Sequence, residues 1–206
     1  MELSEQRYKG EDFTEVDLQD VVIEGTTFVD CDFSGATLAR CQTSHASFSG
    51  CRFYDTELYS STHVASSFVT CTFERTRFHS SKLGGCRLTG STFTDCRLLP
   101  LTWIDCDLTL VSLAGEKLAG ADLSGLRLRE TNLTDANFTG CDLRGSDLSG
   151  ARTIGLRLEG ADLRGAQIDA ATWVSAKVAG ARVDVAQAVI FAAAHGLLLD
   201  HSGVDD

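Results

Sequence analysis

The sequence predicts an all-β solenoid, a parallel β-helix with four sides per coil, that ends in a short C-terminal α-helix. Three features of its 206 residues support this prediction. An apolar side chain recurs at every fifth position from Phe13 to Val183 in one phase, and 32 of these 35 centre positions obey the rule. The residue two positions before the centre is Ala, Cys, Ser or Thr in 27 frames, and glycine stands two positions after it in fifteen. A period of five fits neither an α-helix nor a simple β-strand, so it indicates a repeat architecture.

Each five-residue frame is predicted to form one short extended side and one corner. Residues two apart on an extended segment point to the same face, so the apolar centre and the small residue before it both face inward. Glycine two positions after the centre suits a corner, where the backbone needs unusual dihedral angles. Sides that meet at about right angles close after four frames, and the coils then stack through parallel hydrogen bonds. Thr43, His63 and Thr153 break the apolar rule. His63 and Thr43, one coil apart, are interpreted as a local irregularity of the core.

The repeat divides the chain into four segments. Residues 1–10 are predicted to be an N-terminal lead-in or cap, and residues 11–183 the β-helix. Residues 184–199 are predicted to form a C-terminal helix and dimerisation segment, and residues 200–206 an acidic, flexible tail. Trp173 occupies a centre position near the end of the β-helix and is predicted to belong to the core.

The C-terminal segment has the start and stop signals of a helix. Asp184 followed by Gln187 is a capping box, and Gly196 is a suitable residue to end the helix. The residues between are apolar nearly all round, so one face is predicted to cover the last coil and another to remain free. A symmetric dimer through this end follows, although a monomeric cap with a partly exposed face is an alternative. The predicted interface residues are Val185, Val189, Ile190, Phe191, Leu197 and Leu198.

Composition places the chain among acidic proteins of one domain. The formal net charge is −11 and the isoelectric point about 4.8. No apolar run is long enough to span a membrane, and the N-terminus does not resemble a signal peptide, so the expected location is the cytoplasm. All eight cysteines stand two positions before a centre. Repeat geometry therefore explains them as small buried fillers, without disulfides and without a metal site.

Catalysis is not supported by any pattern in the chain. It has no glycine-rich phosphate loop, no nucleophile elbow and no metal-ligand cluster. Its carboxylates are predicted to lie on a solvated surface, where pKa values are hard to tune. We therefore expect no enzymatic activity and no cofactor.

The repeat resembles the pentapeptide-repeat family, whose pattern is A(D/N)LXX. The segments GADLSG at 120–125, CDLRG at 141–145 and ADLRG at 161–165 match that pattern closely. The resemblance covers about residues 11–185 and implies a right-handed quadrilateral β-helix. Fold alone does not give function.

Details outside the repeat resemble one branch of this family, the mycobacterial MfpA proteins and their Qnr relatives. The similar segments are residues 71–76, 96–102, 149–153 and, most strongly, 180–197. The resemblance implies a homodimer that binds DNA gyrase, occupies a DNA-binding part of it and protects it from fluoroquinolones.

Acidic side chains are the predicted contacts with such a partner. A regular array of negative charge imitates duplex DNA and is attracted to a basic channel, but it does not bind DNA itself. One predicted group lies on the side of centres 13, 33 and 53, and a second forms a stacked ladder on another side. The first comprises Asp12, Asp32, Asp55, Glu74, Asp95 and Asp135. The second comprises Asp122, Asp142 and Asp162, beside Arg144 and Arg164. Asp is also simply common at this position of the repeat, so a purely structural interpretation stays open.

The leading functional hypothesis from the sequence is a DNA-mimicking interaction protein that acts on gyrase. The alternative is a pentapeptide-repeat scaffold or immunity-type protein with a different partner, in which the acidic surface only keeps the protein soluble. Charge changes on one acidic group distinguish the two hypotheses. The first predicts that they abolish activity without loss of fold, and the second predicts no such effect.

Overall fold

The computed structural model describes residues 6–198, and its coils are 20 residues long. Twelve short strands lie in the first half of the chain, and two helices lie near its end. The strands are β1 Arg7–Lys9, β2 Val22–Glu24, β3 Thr27–Val29, β4 Gln42–Ser44, β5 Ser47–Ser49, β6 Arg52–Tyr54, β7 Thr62–Val64, β8 Ser67–Val69, β9 Thr72–Glu74, β10 Ser81–Gly84, β11 Thr92–Thr94 and β12 Leu101–Ile104. The helices are α1 Ala170–Ser175 and α2 Val185–Ala194.

Within each sheet, neighbouring strands are parallel and lie 20 residues apart in the chain. Phe28 aligns with Phe48 and Phe48 with Phe68, for example. The sheet orders are β1-β3-β5-β8, β12-β10-β7-β4-β2 and β11-β9-β6. Isolated parallel bridges with the same 20-residue offset continue the stacking to Asp162 and Arg182. Four frames therefore make one coil, as the sequence predicted.

The core is a set of stacked columns of centre residues. Phe28 and Phe48 stack with ring centroids 4.7 Å apart, and Phe48 and Phe68 follow at 4.8 Å. These spacings match the separation of neighbouring strands, so each ring lies directly on the ring of the next coil. In the second half of the chain leucines replace most of the phenylalanines, and they are equally buried. Such a core is stabilised by contacts between neighbouring coils.

The small residues before each centre line the inside of the corners. All eight cysteines are free thiols; seven are buried and Cys96 is half-buried. The thiol of Cys71, for example, lies 3.5 Å from the backbone oxygen of Phe48. Burial raises the pKa of the Cys41 thiol to about 12, so it stays protonated and behaves as a small apolar residue. The prediction of buried fillers is confirmed.

The three polar centre residues are buried and hydrogen-bonded. His63 Nδ1 lies 2.9 Å from Thr43 Oγ1, and His63 Nε2 lies 2.8 Å from Ser61 Oγ. Thr153 Oγ1 contacts the hydroxyls of Thr172 and Ser175. Because each buried polar group has a partner, the irregularity costs little free energy.

The structure differs from the sequence-based expectation at one frame. Residues 170–175 keep the five-residue phase, but they form α1 instead of an extended side and a corner. The corner positions 170 and 175 hold Ala and Ser, not Gly, and Ala170 and Ala171 favour a helix. Trp173 nevertheless remains in the core, with 2% of its surface exposed. The β-helix is therefore not regular all the way to residue 183.

Helix α2 closes the C-terminal end of the solenoid. The Asp184 side chain accepts a hydrogen bond from Gln187 N, and the Gln187 side chain accepts one from Asp184 N, which confirms the predicted capping box. Gln187 Nε2 also donates to the carbonyl oxygens of Leu163 and Ala166 in the last coil. Gly196 follows the helix with φ +78°, as expected for its end. Neither described helix is long and apolar enough to cross a membrane. The predicted acidic tail lies outside the described residues.

Candidate functional site

The first predicted group of acidic residues does not form one continuous ladder. Asp12 and Asp32 pair across neighbouring coils, but the next residue in that column is Arg52. Asp55, Asp95 and Asp135 stand at corners with positive φ, and 40 residues separate each from the next. That offset is two coils, or about 10 Å along the axis. The group is therefore spread over an edge of the solenoid.

Some of these charges are balanced by neighbouring arginines. Asp55 carboxylate oxygens lie 3.6 Å from Arg75 Nη2 and 3.4 Å from Arg77 Nη2, and Arg77 also pairs with Glu57 at 2.9 Å. Glu74, Asp95 and Asp135 have no ion pair among the described residues. Asp55 is therefore a weaker candidate for contact with a basic partner than the other members.

The second predicted group is a stacked ladder. Asp122 pairs across coils with Asp142, and Asp142 with Asp162. Arg144 and Arg164 bind their neighbouring aspartates at 2.5 and 2.6 Å. The Arg164 side chain lowers the pKa of Asp162 to about 2, so this carboxylate is ionised at neutral pH. Two of the three charges in the ladder are thus locally neutralised, as the adjacent arginines led us to expect.

The largest charge imbalance runs along the axis and not around it. Residues 11–32, which we call the acidic coil, contain eight acidic residues and no lysine or arginine. Residues 6–10 add Arg7 and Lys9, and residues 33–198 balance sixteen acidic against sixteen basic residues. The acidic coil comprises Glu11, Asp12, Glu15, Asp17, Asp20, Glu24, Asp30 and Asp32. The net negative charge of the described chain is therefore concentrated in the coil farthest from α2.

The carboxylates of the acidic coil are mostly free of ion pairs. Among the described residues only Asp20 has one, to Arg40 Nε at 2.7 Å. Asp12, Asp17 and Asp32 each accept a backbone hydrogen bond from the residue two positions later. The hydrogen bonds from Thr14 lower the pKa of Asp12, so this group stays ionised at neutral pH. These short local bonds fix the direction of the carboxylates and leave their charge uncompensated.

The sequence-based prediction grouped acidic residues by side of the coil and therefore missed this concentration along the axis. Six of the eight members were not among the predicted contacts: Glu11, Glu15, Asp17, Asp20, Glu24 and Asp30. The signal is a run of 22 residues without a single positive charge, visible in the printed sequence. These charges come together in space because a run of this length makes one full coil of the solenoid.

The predicted dimer residues lie on the surface of the C-terminal end. Val185, Val189, Ile190, Leu197 and Leu198 are exposed, with Val185 at 83% and Leu198 at 99%. Phe191 differs, because it is half-buried and packs edge-on against Trp173 with ring centroids 5.8 Å apart. An apolar cavity of about 200 Å³ lies beside them, lined by Trp173, Val178, Ala181, Val183, Ala188 and Phe191. An apolar surface of this kind is typical of a protein interface.

No metal centre is apparent in the described part of the chain. Residues 6–198 contain no group of three or more His, Cys, Asp or Glu side chains that could hold an ion. The five-residue spacing places the cysteines inside the corners, where their thiols meet backbone oxygens.

Comparison with known proteins identifies the class. The profile of pentapeptide repeats matches eight copies in this chain, over residues 17–55, 66–99, 106–145 and 141–172. The chain belongs to the pentapeptide-repeat family.

Individual relatives are similar over different lengths. Over 98 residues the chain is 52% identical to the pentapeptide repeat protein MfpA of Mycobacterium tuberculosis. This match covers 45% of the chain and spans about half, 54%, of that curated relative. A trypsin-treated variant of QnrB1, a plasmid-mediated fluoroquinolone resistance protein, has a TM-score of 0.82 at 20% identity, with 94% of this chain and 97% of that one covered. Full-length QnrB1 has a TM-score of 0.77 at 18% identity, with 93% and 100% covered. At these identities the structural likeness establishes the fold.

Proposed function

We propose that this protein binds DNA gyrase in place of DNA, modulates or inhibits it, and protects it from fluoroquinolones. The observation that carries the proposal is the 52% identity to MfpA over 98 residues. The shared fold with a fluoroquinolone resistance protein supports it. The proposal needs no catalytic residue and no cofactor, and it places the protein in the cytoplasm, where gyrase works.

The acidic coil is the part of the surface best suited to a DNA-binding groove. Duplex DNA carries about one negative charge per 1.7 Å of axis, and the proteins that bind it offer clustered lysines and arginines. Seven of the eight carboxylates in the acidic coil have no cationic partner among the described residues. Their field attracts a basic groove over about one Debye length, or 8 Å at physiological salt. The ladder of Asp122, Asp142 and Asp162 is a weaker attractant, because two of its charges are already paired.

Dimerisation through the C-terminal end is part of the same proposal. The exposed side chains of Val185, Val189 and Ile190 cover one side of α2. A second copy related by a two-fold axis buries this apolar surface in both subunits at once. The two acidic coils then lie at opposite ends of an extended dimer. Neither copy binds nucleic acid or a membrane in this arrangement.

The alternative function is a scaffold or immunity-type protein with a different partner. One observation favours it: beyond residue 32 the described chain is electrically balanced, so no long array of unpaired negative charge follows the axis. Under this alternative the acidic coil contributes to solubility, and gyrase is unaffected by the protein.

The deciding experiment is a titration of the purified protein into a gyrase assay at two salt concentrations. Supercoiling, ATP turnover and quinolone-stabilised DNA cleavage are followed together. We expect a loss of supercoiling and of drug-stabilised cleavage at low micromolar protein, and a weaker effect at high salt because exposed charges are screened. A folded protein without effect on any of the three activities excludes the gyrase proposal and supports the alternative.

Two matched triple variants locate the contact. One carries Asp12→Asn, Asp17→Asn and Asp32→Asn in the acidic coil, and the other carries Asp122→Asn, Asp142→Asn and Asp162→Asn in the ladder. Asparagine keeps the side-chain oxygen that accepts the local backbone hydrogen bond, so each variant removes charge with little change in structure. We expect the first to weaken gyrase inhibition about tenfold or more and the second to weaken it less. Equal effects contradict the assignment of the contact to the acidic coil.

A further inference from the structure

The backbone ladder between two neighbouring coils is interrupted halfway along the solenoid. From Phe13 to Leu148 the other centre residues donate their N–H to the next coil, as Leu88 does to Asp107 O at 2.8 Å and Leu108 to Arg127 O at 2.9 Å. Within the described chain, residues 95–105 make no backbone–backbone hydrogen bond to residues 114–124. The bridges Arg77 to Arg97 and Lys117 to Asn137 exist, but none joins Arg97 to Lys117. We call this interruption the open seam.

The open seam occupies only two of the four sides. On the neighbouring sides the same two coils remain bonded. Phe93 N donates to Ser112 O at 2.9 Å, and Arg127 N reaches Cys106 O at a longer 3.5 Å. The two coils are therefore joined along one half of their perimeter and separated along the other half.

Four residues at the seam are unusual for this repeat, and each has a physical effect. Leu101 and Glu116 occupy inward positions that hold small residues in most frames, and both are buried. Trp103 is a bulky centre residue, and it aligns with the smaller Leu83 of the preceding coil. Oversized inward side chains force coils apart where the core is otherwise close-packed. Pro100 stands at a corner and has no N–H to donate to the next coil.

A side chain takes over part of the missing ladder. Glu116 Oε1 accepts a hydrogen bond from Cys96 N at 3.2 Å, across the two coils. Beside it lies a cavity of about 200 Å³ that is lined by Thr94, Asp95, Cys96, Ala114, Gly115, Glu116 and Lys117. Burial raises the pKa of the Glu116 carboxyl. A single side-chain contact and a cavity thus replace backbone bonds that are rigid in every neighbouring coil.

We propose that the open seam is a hinge that divides the solenoid into an N-terminal and a C-terminal arm. Bending a stacked β-helix elsewhere requires ladder hydrogen bonds to stretch on all four sides. At the seam, bending about the bonded half opens or closes the other half without breaking any backbone hydrogen bond. The motion changes the direction of the N-terminal arm, with its acidic coil, relative to α2. If the proposed function holds, the hinge lets the acidic coil adjust to the shape of its partner.

Distance measurements on the free protein test the hinge independently of any partner. Spin labels are attached through unnatural amino acids, so that the eight cysteines remain. One pair, at Ser44 and Ser124, spans the seam on its open side. A second pair, at Ser49 and Arg129, spans the same coils on the bonded side. A third pair, at Glu24 and Ile104, lies on the open side but does not cross the seam. Each pair is separated by four coils, or about 19 Å.

The hinge predicts unequal widths of the three distance distributions. We expect the Ser44–Ser124 distribution to be about twofold broader than the other two, because only this pair reports opening of the seam. Three equally narrow distributions show a static gap and overturn the proposal.

A double variant, Leu101→Ala with Glu116→Ala, restores small residues at both inward positions. We expect it to narrow the Ser44–Ser124 distribution to the width of the controls. A folded variant that leaves this distribution broad contradicts the assignment of the hinge to these side chains. If the double variant does not fold, the single variant Glu116→Ser is measured, and the comparison of the three pairs in the wild-type protein decides the proposal on its own. Gyrase assays play no part, so failure of the hinge and failure of the proposed function are distinguishable.

Discussion

At the scale of single residues, His63 shows how the repeat accommodates a polar centre. It is buried to the same degree as the phenylalanines around it, and its ring meets Phe68 edge-on at 5.4 Å. Thr43 and Ser61 occupy both ring nitrogens. Burial lowers the pKa of His63 to about 4, because the charged form loses its hydration inside the core. The side chain is therefore neutral at physiological pH.

Acid is predicted to destabilise the protein through His63. The folded-state pKa of about 4 lies below the ordinary value of 6.5, so the unfolded chain binds more protons between these pH values. The stabilisation is present above pH 6.5 and is lost as the pH falls to 4, by about 3 kcal/mol in total. Urea unfolding of wild type and His63→Leu across this range measures it. Between pH 6.5 and 4 we expect the free energy of unfolding of the wild type to fall more steeply with pH than that of the variant. The difference in slope corresponds to the uptake of about one proton on unfolding.

The matched control is His45→Asn. His45 is an exposed corner residue with positive φ, which asparagine tolerates. This variant is expected to keep the wild-type pH dependence. Identical slopes in wild type and His63→Leu contradict the assignment.

Corner geometry gives a second prediction at this scale. Gly120 has φ +76°, and a side chain added there meets open space. Gly120→Ala is therefore expected to destabilise the protein by about 1 kcal/mol through backbone strain alone. Gly84 lies in β10 without positive φ, and its added Cβ has ordinary contacts. Gly84→Ala is the control and should destabilise the protein less. Chemical denaturation measures the free energy of unfolding of both variants. A larger decrease for Gly84→Ala than for Gly120→Ala contradicts the prediction.

At the scale of elements, the Gln187 side chain links α2 to the last coil of the solenoid. Gln187 is buried, accepts the N–H of Asp184 and donates to Leu163 O and Ala166 O at 2.6 and 2.8 Å. It thus gives a partner to Ala166 O, which has no further coil to pair with, and is a second donor to Leu163 O beside Ala166 N. This is how the C-terminal edge of the parallel stack is closed.

Removal of this side chain is predicted to detach the helix. Gln187→Ala leaves the Ala166 carbonyl without its partner and removes the bonds to Leu163 O and Asp184 N, so it is expected to cost about 2 kcal/mol or more. Amide hydrogen exchange should rise first in residues 185–195, because repeat proteins open from their ends. Gln167→Ala is the control, since that glutamine is exposed and its side chain has no described hydrogen bond. Unchanged exchange in α2 of the Gln187 variant contradicts the prediction.

At the scale of the whole molecule, the two ends of the described chain have opposite character. The acidic coil gathers net charge at one end, and exposed valine, isoleucine and leucine side chains lie at the other. Charge repels a second copy, whereas apolar surface attracts one. The arrangement therefore favours a dimer through the C-terminal end and a different, basic partner at the N-terminal end.

Dimerisation is tested by charges placed on α2. Val185→Glu with Ile190→Glu buries two carboxylates at the proposed interface and is expected to yield monomers by analytical ultracentrifugation. The control is Val22→Glu with Val64→Glu, at two exposed valines on the five-stranded sheet far from α2. We expect this control to remain dimeric. Monomeric wild-type protein at micromolar concentration would exclude the dimer outright.

The fold could be predicted from the sequence because the five-residue period constrains every coil in the same way. The inward columns, the corner glycines, the capping box and the buried cysteines all follow from residue type and spacing. The signals for the open seam were present as exceptions at Leu101 and Glu116, and those for α1 as Ala170 and Ser175 at corner positions. The structural effect of these exceptions depends on how neighbouring coils pack, and a local sequence pattern contains no information on that packing.

The sequence by itself determined the coil length, the order of the columns and the family, since these depend on periodicity. Only the tertiary structure decided which charges are free. Asp142 and Asp162 lie in a ladder, as predicted, but neighbouring arginines neutralise them, whereas the acidic coil remains almost unpaired. The physical reason is that an ion pair is set by distances of a few ångströms between side chains on different coils, and those distances exist only once the chain has closed and stacked.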